Sequence, residues 1–180
     1  QIISTLQGFD KQHHHFNIIA YHHRPTYFKK GNVLAESTPE VLQTISPYFN
    51  GLAAFGGTDH EMGLLAALRF KPDVIFLLTD GGANPNGLVE LSQKLNDEHG
   101  VTLSAIAIGK NPANFLQRMS VAGEGNFYQV DNVEQIPRIF TQETVLASRS
   151  YIIEDPFTPR QTGNNAIMDG INSLPPLRGY

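Results

Sequence analysis

Pro72-Asp73-Val74-Ile75-Phe76-Leu77-Leu78-Thr79-Asp80-Gly81-Gly82 decides how this chain is read. From Asp73 to Thr79 no polar alternation interrupts the run, the pattern of a strand buried on both faces of a parallel sheet. The strand ends in an aspartate on a glycine turn. Upstream, Gly56-Gly57-Thr58-Asp59-His60 reads as a glycine loop that delivers a threonine to the start of a helix. In an open α/β sheet, ligands sit outside the carboxyl ends of the strands. A hydroxyl and a carboxylate arriving there together are the hard oxygen ligands that a small divalent cation takes.

Working outward, strands alternate with helices. Phe16 to Tyr21 is rich in β-branched and aromatic residues and reads as a strand. Arg24-Pro25 breaks it, and Thr26-Tyr27-Phe28 returns as a short edge strand. Ile2 to Leu6 reads as the last turn of a helix. Thr38 caps a helix that runs to about Phe49, with Pro39 at its first position. Thr58 to Phe70 is the next helix. Leu88 to His99 carries Leu88, Leu91 and Leu95 on one helical face. Leu103 to Gly109 is a buried strand, Pro112 to Val121 a helix, Gly125 to Val130 a strand and Val133 to about Ser148 the last helix. Pro137 falls in that helix's first turn, where a missing N–H costs little. This alternation predicts an α/β fold with a doubly wound, mostly parallel sheet. The domain is expected over residues 1–148. Four of the eleven prolines lie beyond residue 150, so 149–180 reads as an extended connector.

The chain has 180 residues, 41% of them apolar, which suits one domain plus a tail. A net charge of −4, with no basic run, argues against nucleic acid as a partner. The absence of cysteine excludes disulfides, zinc–thiolate sites and thiol nucleophiles. No apolar stretch approaches the roughly 20 residues that span a bilayer, and no signal peptide is seen.

From Phe16 to Ser148 the residues resemble a von Willebrand factor A domain. The resemblance rests on the Gly-Gly-Thr-Asp helix start at Gly56, the strand ending Leu78-Thr79-Asp80-Gly81 and the later strand Ala105-Ile106-Ala107-Ile108-Gly109, in that order and spacing. It implies a metal-ion-dependent adhesion site. The ligands of such a site are an Asp-x-Ser-x-Ser loop after the first strand, a threonine in a second loop and an aspartate after a later strand. Thr58 matches the second element and Asp80 the third. Gly57, Asp59, Gly81 and His22 are expected around them, in support of the site or in contact with a partner. No Asp-x-Ser-x-Ser occurs in the chain. With Gln1 in place of an initiator Met, the chain reads as a fragment of a longer protein that lacks the first, central strand. That strand belongs between Phe16–Tyr21 and Asp73–Thr79. Without it the two halves either close up directly or distort, since unpaired buried backbone groups are costly.

The tail has a narrower resemblance. Ile139-Phe140-Thr141-Gln142-Glu143-Thr144, Ser148-Arg149-Ser150, Glu154-Asp155-Pro156-Phe157 and Leu174-Pro175-Pro176-Leu177 are similar to the exit from this domain in large bacterial membrane proteins. Those proteins join an A-type domain to a glutamine-amidotransferase-like region. No amidotransferase nucleophile or triad is present here.

Each residue also has a plainer reading. Thr58 followed by Glu61 forms a capping box, a role that does not exclude metal binding. Asp80-Gly81 also suits a simple turn. Asp59 favours the positive end of a helix dipole. His13-His14-His15 reads as a solvated loop and His22-His23 as a polar strand end, while His60 is expected on the surface.

Enzymatic readings find no support. Gly81-Gly82-Ala83-Asn84-Pro85-Asn86-Gly87 lacks dinucleotide-loop spacing. No Walker loop or nucleophile elbow occurs. Gly123-Glu124-Gly125 precedes a strand, so it cannot cradle phosphate on a helix N-terminus. The resemblance therefore implies a binding module, not an enzyme. It would recognise a protein partner through an acidic residue bridged by Mg²⁺ (or Mn²⁺), with the site incomplete in this chain. Two rivals remain: a metal-free scaffold, and a regulatory part of a membrane-anchored, amidotransferase-like parent protein.

Overall fold

Helices cover both faces of a three-stranded parallel sheet, and the sheet's central strand is buried on each side. The computed structural model describes Leu6, residues 14–53, 56–110 and 113–149, and the single positions Thr158, Pro175 and Pro176. Two compact units are distinguished, residues 1–142 and 143–180; the fold below is that of the first. Residues 2–5 of the expected first helix end, and most of the expected connector, lie outside the described residues.

The elements run β1 (His15–Phe16), β2 (Ile19–Tyr21), β3 (Pro25–Tyr27), β4 (Ala35–Glu36), α1 (Pro39–Gln43), α2 (Ile45–Asn50), α3 (His60–Leu68) and β5 (Val74–Thr79). They continue with α4 (Leu88–His99), β6 (Thr102–Ile108), α5 (Asn114–Ala122), β7 (Glu124–Val130), a 3₁₀ turn (Val133–Gln135) and α6 (Ile136–Arg149). Strands β5, β6 and β7 form the parallel sheet in that order, with Val74 opposite Thr102 and Thr79 opposite Ala107. Two antiparallel pairs stand apart from it, β1 with β4 and β2 with β3.

Side-chain alternation on β6 explains the layers. Leu103, Ala105 and Ala107 join Leu88 and Leu95 of α4 and Leu116 and Met119 of α5 in the main core. Ile106 points to the other face, where it clusters with Val130 and Ile136. Each fully buried leucine here stabilises the fold by roughly 1.5–3 kcal/mol relative to an exposed one. A third cluster of Phe16, Ala35, Leu42 and Ile45 underlies β1, β4 and the two short helices.

Several elements differ from the sequence reading, for local reasons. Strand β5, expected to be buried on both faces, alternates buried with half-buried residues: Ile75 and Leu77 lie in the main core, while Leu78 and Phe76 face the smaller cluster and Phe140 on the other side. The expected Phe16–Tyr21 strand is two strands. The Asn17 side chain accepts from the Ile18 and Lys29 N–H groups and donates to the Lys29 carbonyl. This side chain replaces the ladder, and the chain changes partner there. The helix from Pro39 to Phe49 divides at Thr44, because Pro47 has no N–H and its ring crowds the carbonyl four residues back. The two halves do not close into one sheet, as β2 pairs with β3 and β5 with β6.

A register shift between β6 and β7 sits at Leu103 to Ala105. Ser104 Oγ accepts from the Asn126 N–H, and the Ala105 N–H donates to Ser120 Oγ. The hydroxyls thus satisfy backbone groups that the irregular ladder leaves over.

Candidate functional site

Three loops meet at the carboxyl ends of β2 and β5. The first follows β2 at His22-His23. The second, Gly56 to Asp59, leads into α3. The third, Thr79 to Gly82, follows β5.

Backbone and side-chain bonds tie the first loop to the second. The Asp59 N–H donates to the His22 carbonyl at 3.1 Å. The Gly57 N–H donates to His23 Nε2 at 3.0 Å. Gly56 has φ +82°, and a Cβ there would stand 2.9 Å from the His23 ring. The double glycine is therefore required both by backbone conformation and by the close approach of the imidazole.

The helix cap is Asp59, not Thr58. Asp59 Oδ1 accepts from the Met62 N–H at 3.0 Å, so α3 begins at His60. The expected capping box is corrected accordingly. The Thr58 hydroxyl is exposed and makes no hydrogen bond among the described residues. Asp59 combines its cap with a favourable charge at the helix N-terminus.

His60 corrects the sequence reading most sharply. Its side chain is buried, only 1% exposed, rather than on the surface. Nδ1 lies 2.8 Å from the Tyr21 hydroxyl and Nε2 lies 3.5 Å from Thr79 Oγ1. The Gly81 N–H already donates to Thr79 Oγ1 at 3.0 Å. The arrangement that satisfies every group has the Tyr21 hydroxyl donating to Nδ1 and Nε2–H donating to Thr79, an assignment made from the network. A signal for this was present: His60, Gly63, Leu64 and Ala67 follow the spacing of one helical face, and that face packs inward.

Electrostatics place two carboxylates near this cluster. Burial pushes the His60 imidazolium below its ordinary value, against the opposing pull of Asp59 and Asp80. Burial raises the Tyr21 phenol, and the same two carboxylates raise it further. Asp59 and Asp80, 21 residues apart in sequence, therefore act on the same pair of side chains.

The third loop holds Asp80 exposed at the strand end, with Oδ1 accepting from the Gly82 N–H at 3.2 Å. Gly81 has φ +89° and packs against Ala113. His22 is half-buried and reaches the site through its carbonyl, while Gly57 is exposed. Of the other histidines, His15 opens β1 with an exposed side chain.

The donors are of the kind that Mg²⁺ takes. Thr58 offers an uncharged oxygen, and Asp59 and Asp80 each have one carboxylate oxygen beyond the one in a backbone bond. No cluster of three acidic or imidazole groups able to hold an ion occurs among the described residues. The chemistry of these donors suits a metal, but they are too few among the described residues to make a near-octahedral shell.

The chain belongs to the von Willebrand factor type A domain family, whose model matches residues 1–142. A von Willebrand factor type A protein from Catenulispora acidiphila superimposes with a TM-score of 0.66 and 19% identity, over 81% of this chain and 36% of that one. The conserved hypothetical protein BatB from Bacteroides thetaiotaomicron does so with a TM-score of 0.62 and 16% identity, over 82% of this chain and 85% of that one. An aerotolerance-related membrane protein from Bacteroides fragilis, carrying multiple mutations to serine, gives 0.60 and 16%, over 81% and 85%. At these identities the likeness shows the fold. No curated protein matches the chain. Domains of this family are typically adhesion or protein-interaction modules rather than enzymes.

Proposed function

We propose that this domain binds a partner protein at the ends of β2 and β5, and that Thr58 and Asp80 are its share of a Mg²⁺ or Mn²⁺ site. An acidic side chain of the partner takes an open position on the metal. The observation that carries this reading is the convergence of the Gly56–Asp59 and Thr79–Gly82 loops around Tyr21 and His60. Asp59 caps the helix, which leaves the exposed Thr58 hydroxyl available as a neutral ligand. A bound Mg²⁺ would supply an electrophilic centre, and neutral hydroxyl ligands keep it attractive to an external carboxylate. The tyrosine–imidazole–threonine chain holds the two loops at a fixed separation, and Asp59 and Gly57 serve the loop rather than the ion.

The test uses Mn²⁺ as the probe, read by loss of its free-ion paramagnetic resonance signal. The chain should bind Mn²⁺ weakly. Asp80→Ala and Thr58→Val should each weaken that binding further, while Asp97→Ala on the exposed face of α4 should not. Equal binding by all three variants removes the assignment.

A second reading, a metal-free scaffold, is favoured by the small number of donors among the described residues. Partner capture that survives EDTA would decide for it. The membrane protein among the structural neighbours supports a further proposal, that this domain serves a membrane-anchored parent. No helix among the described residues is long and apolar enough to cross a membrane.

A further inference from the structure

A groove of about 420 Å³ runs between β3 and α3, beside the loops described above but on the outer face of the helix. It is shallow and open to solvent, the form of a surface that takes a chain segment rather than an enclosed small molecule. Pro25 and Tyr27 form one wall, and Met62 and Leu65 of α3 form the other. Leu65 is 44% exposed, one of four large apolar side chains so exposed among the described residues. The two ends of the groove carry opposite charge. Glu61, next to Asp59, lines one end, and Arg69 lines the other. Neither Glu61 nor Arg69 forms an ion pair among the described residues.

The spacing defines what fits. Glu61 and Arg69 are eight residues apart along the helix, about 12 Å at 1.5 Å per residue. An extended peptide advances about 3.3 Å per residue and places alternate side chains on one face. Its first and fifth side chains stand about 13 Å apart, with the third between them on the same side.

We propose that this groove docks an extended segment of a partner protein, with a basic side chain at Glu61, an acidic one four residues on at Arg69 and an apolar one between them against Leu65. The charge order complements both ends, and the central side chain covers apolar surface that is otherwise open to water. Docking here needs no metal, so it stands or falls apart from the reading of Thr58 and Asp80.

The test uses a fluorescein-labelled pentapeptide of lysine, serine, leucine, serine and glutamate, followed by fluorescence anisotropy with the 180-residue chain in EDTA. Weak, saturable binding is expected. Arg69→Glu should weaken it by up to about fivefold, the range for an exposed ion pair. A peptide with lysine at both ends should recover the loss on that variant. Glu61→Lys should behave reciprocally, with recovery by a peptide carrying glutamate at both ends. Leu65→Ser should weaken all of these peptides. No binding at millimolar peptide, or losses without recovery by the charge-swapped peptides, would overturn the proposal. Binding that requires Mg²⁺ would also overturn it and assign the peptide to the metal face. Self-association of the chain that Leu65→Ser abolishes would make a second copy the occupant instead.

Discussion

The Tyr21 hydroxyl lies 2.8 Å from Nδ1 of His60, across 39 residues of sequence. This bond joins the end of β2 to the first turn of α3, and His60 continues it to Thr79 at the end of β5. The loops that carry Thr58 and Asp80 are therefore held by a polar chain running beneath them, inside an otherwise apolar wall.

Tyr21→Phe should leave the buried Nδ1 without its donor. A buried polar group stripped of its partner costs about 1–3 kcal/mol. Urea denaturation of the variant should show a loss in that range with an unchanged slope, and a midpoint equal to wild type would contradict the bond's importance.

Stability should fall on acidification because of His60. Its folded-state value lies below the ordinary one through burial, so the unfolded chain binds this proton more readily than the folded chain does. The contribution is fully present above the usual histidine value of about 6.5 and is lost as pH falls from there toward the lowered value. Urea midpoints taken between about pH 8 and pH 5 should drop for wild type. They should drop less for His60→Gln, which carries no titrating group; parallel profiles would refute the attribution.

Gly125→Ala should be among the most damaging single-atom additions. A Cβ at Gly125 would be driven into the Leu103 carbonyl oxygen, part of the central strand rather than a movable side chain. A cost of about 3 kcal/mol or more is expected. A thermal midpoint within about a degree or two of wild type would show that the register shift relaxes freely.

Gly56→Ala should disturb the loop that carries Thr58, through the positive φ and through collision with the His23 ring. His23→Ala removes the second cause but not the first. The double variant should recover part of the loss, a coupling that a double-mutant cycle reads directly. Strict additivity would mean that the ring does not constrain the glycine.

Mg²⁺ should stabilise the chain only slightly. A ligand present at its own dissociation constant adds about 0.4 kcal/mol. With so few donors here, millimolar Mg²⁺ should do no more than that in a thermal melt. A large, stoichiometric stabilisation would show that this chain's own residues complete the site.

Much of the fold was legible because its signals are local. The Leu88–His99 helix was read residue for residue. Gly87 and Gly100 stand at its two ends in left-handed conformations that suit glycine. The apolar runs of β5 and β6 likewise announced strands that face helices. Elsewhere one side chain changed the outcome. Asn17 broke the expected Phe16–Tyr21 strand in two by substituting for its ladder. Thr58 and Asp59 are both good caps, and the spacing from Thr58 to Glu61 pointed to the wrong one. The bond from the Asp59 N–H to the His22 carbonyl fixes the backbone where Asp59 serves.

The sequence by itself determined the α/β alternation, the glycine turns and the arrival of Thr58 and Asp80 at loop ends. Those features follow from periodicity and backbone conformation within a few residues. Only the tertiary structure decided that Tyr21 and Thr79 satisfy the buried His60, and that Asp59 and Asp80 act on the same pair of groups. These depend on contacts between residues about 20 to 40 positions apart. A buried imidazole is tolerated only where such distant groups satisfy both of its nitrogens.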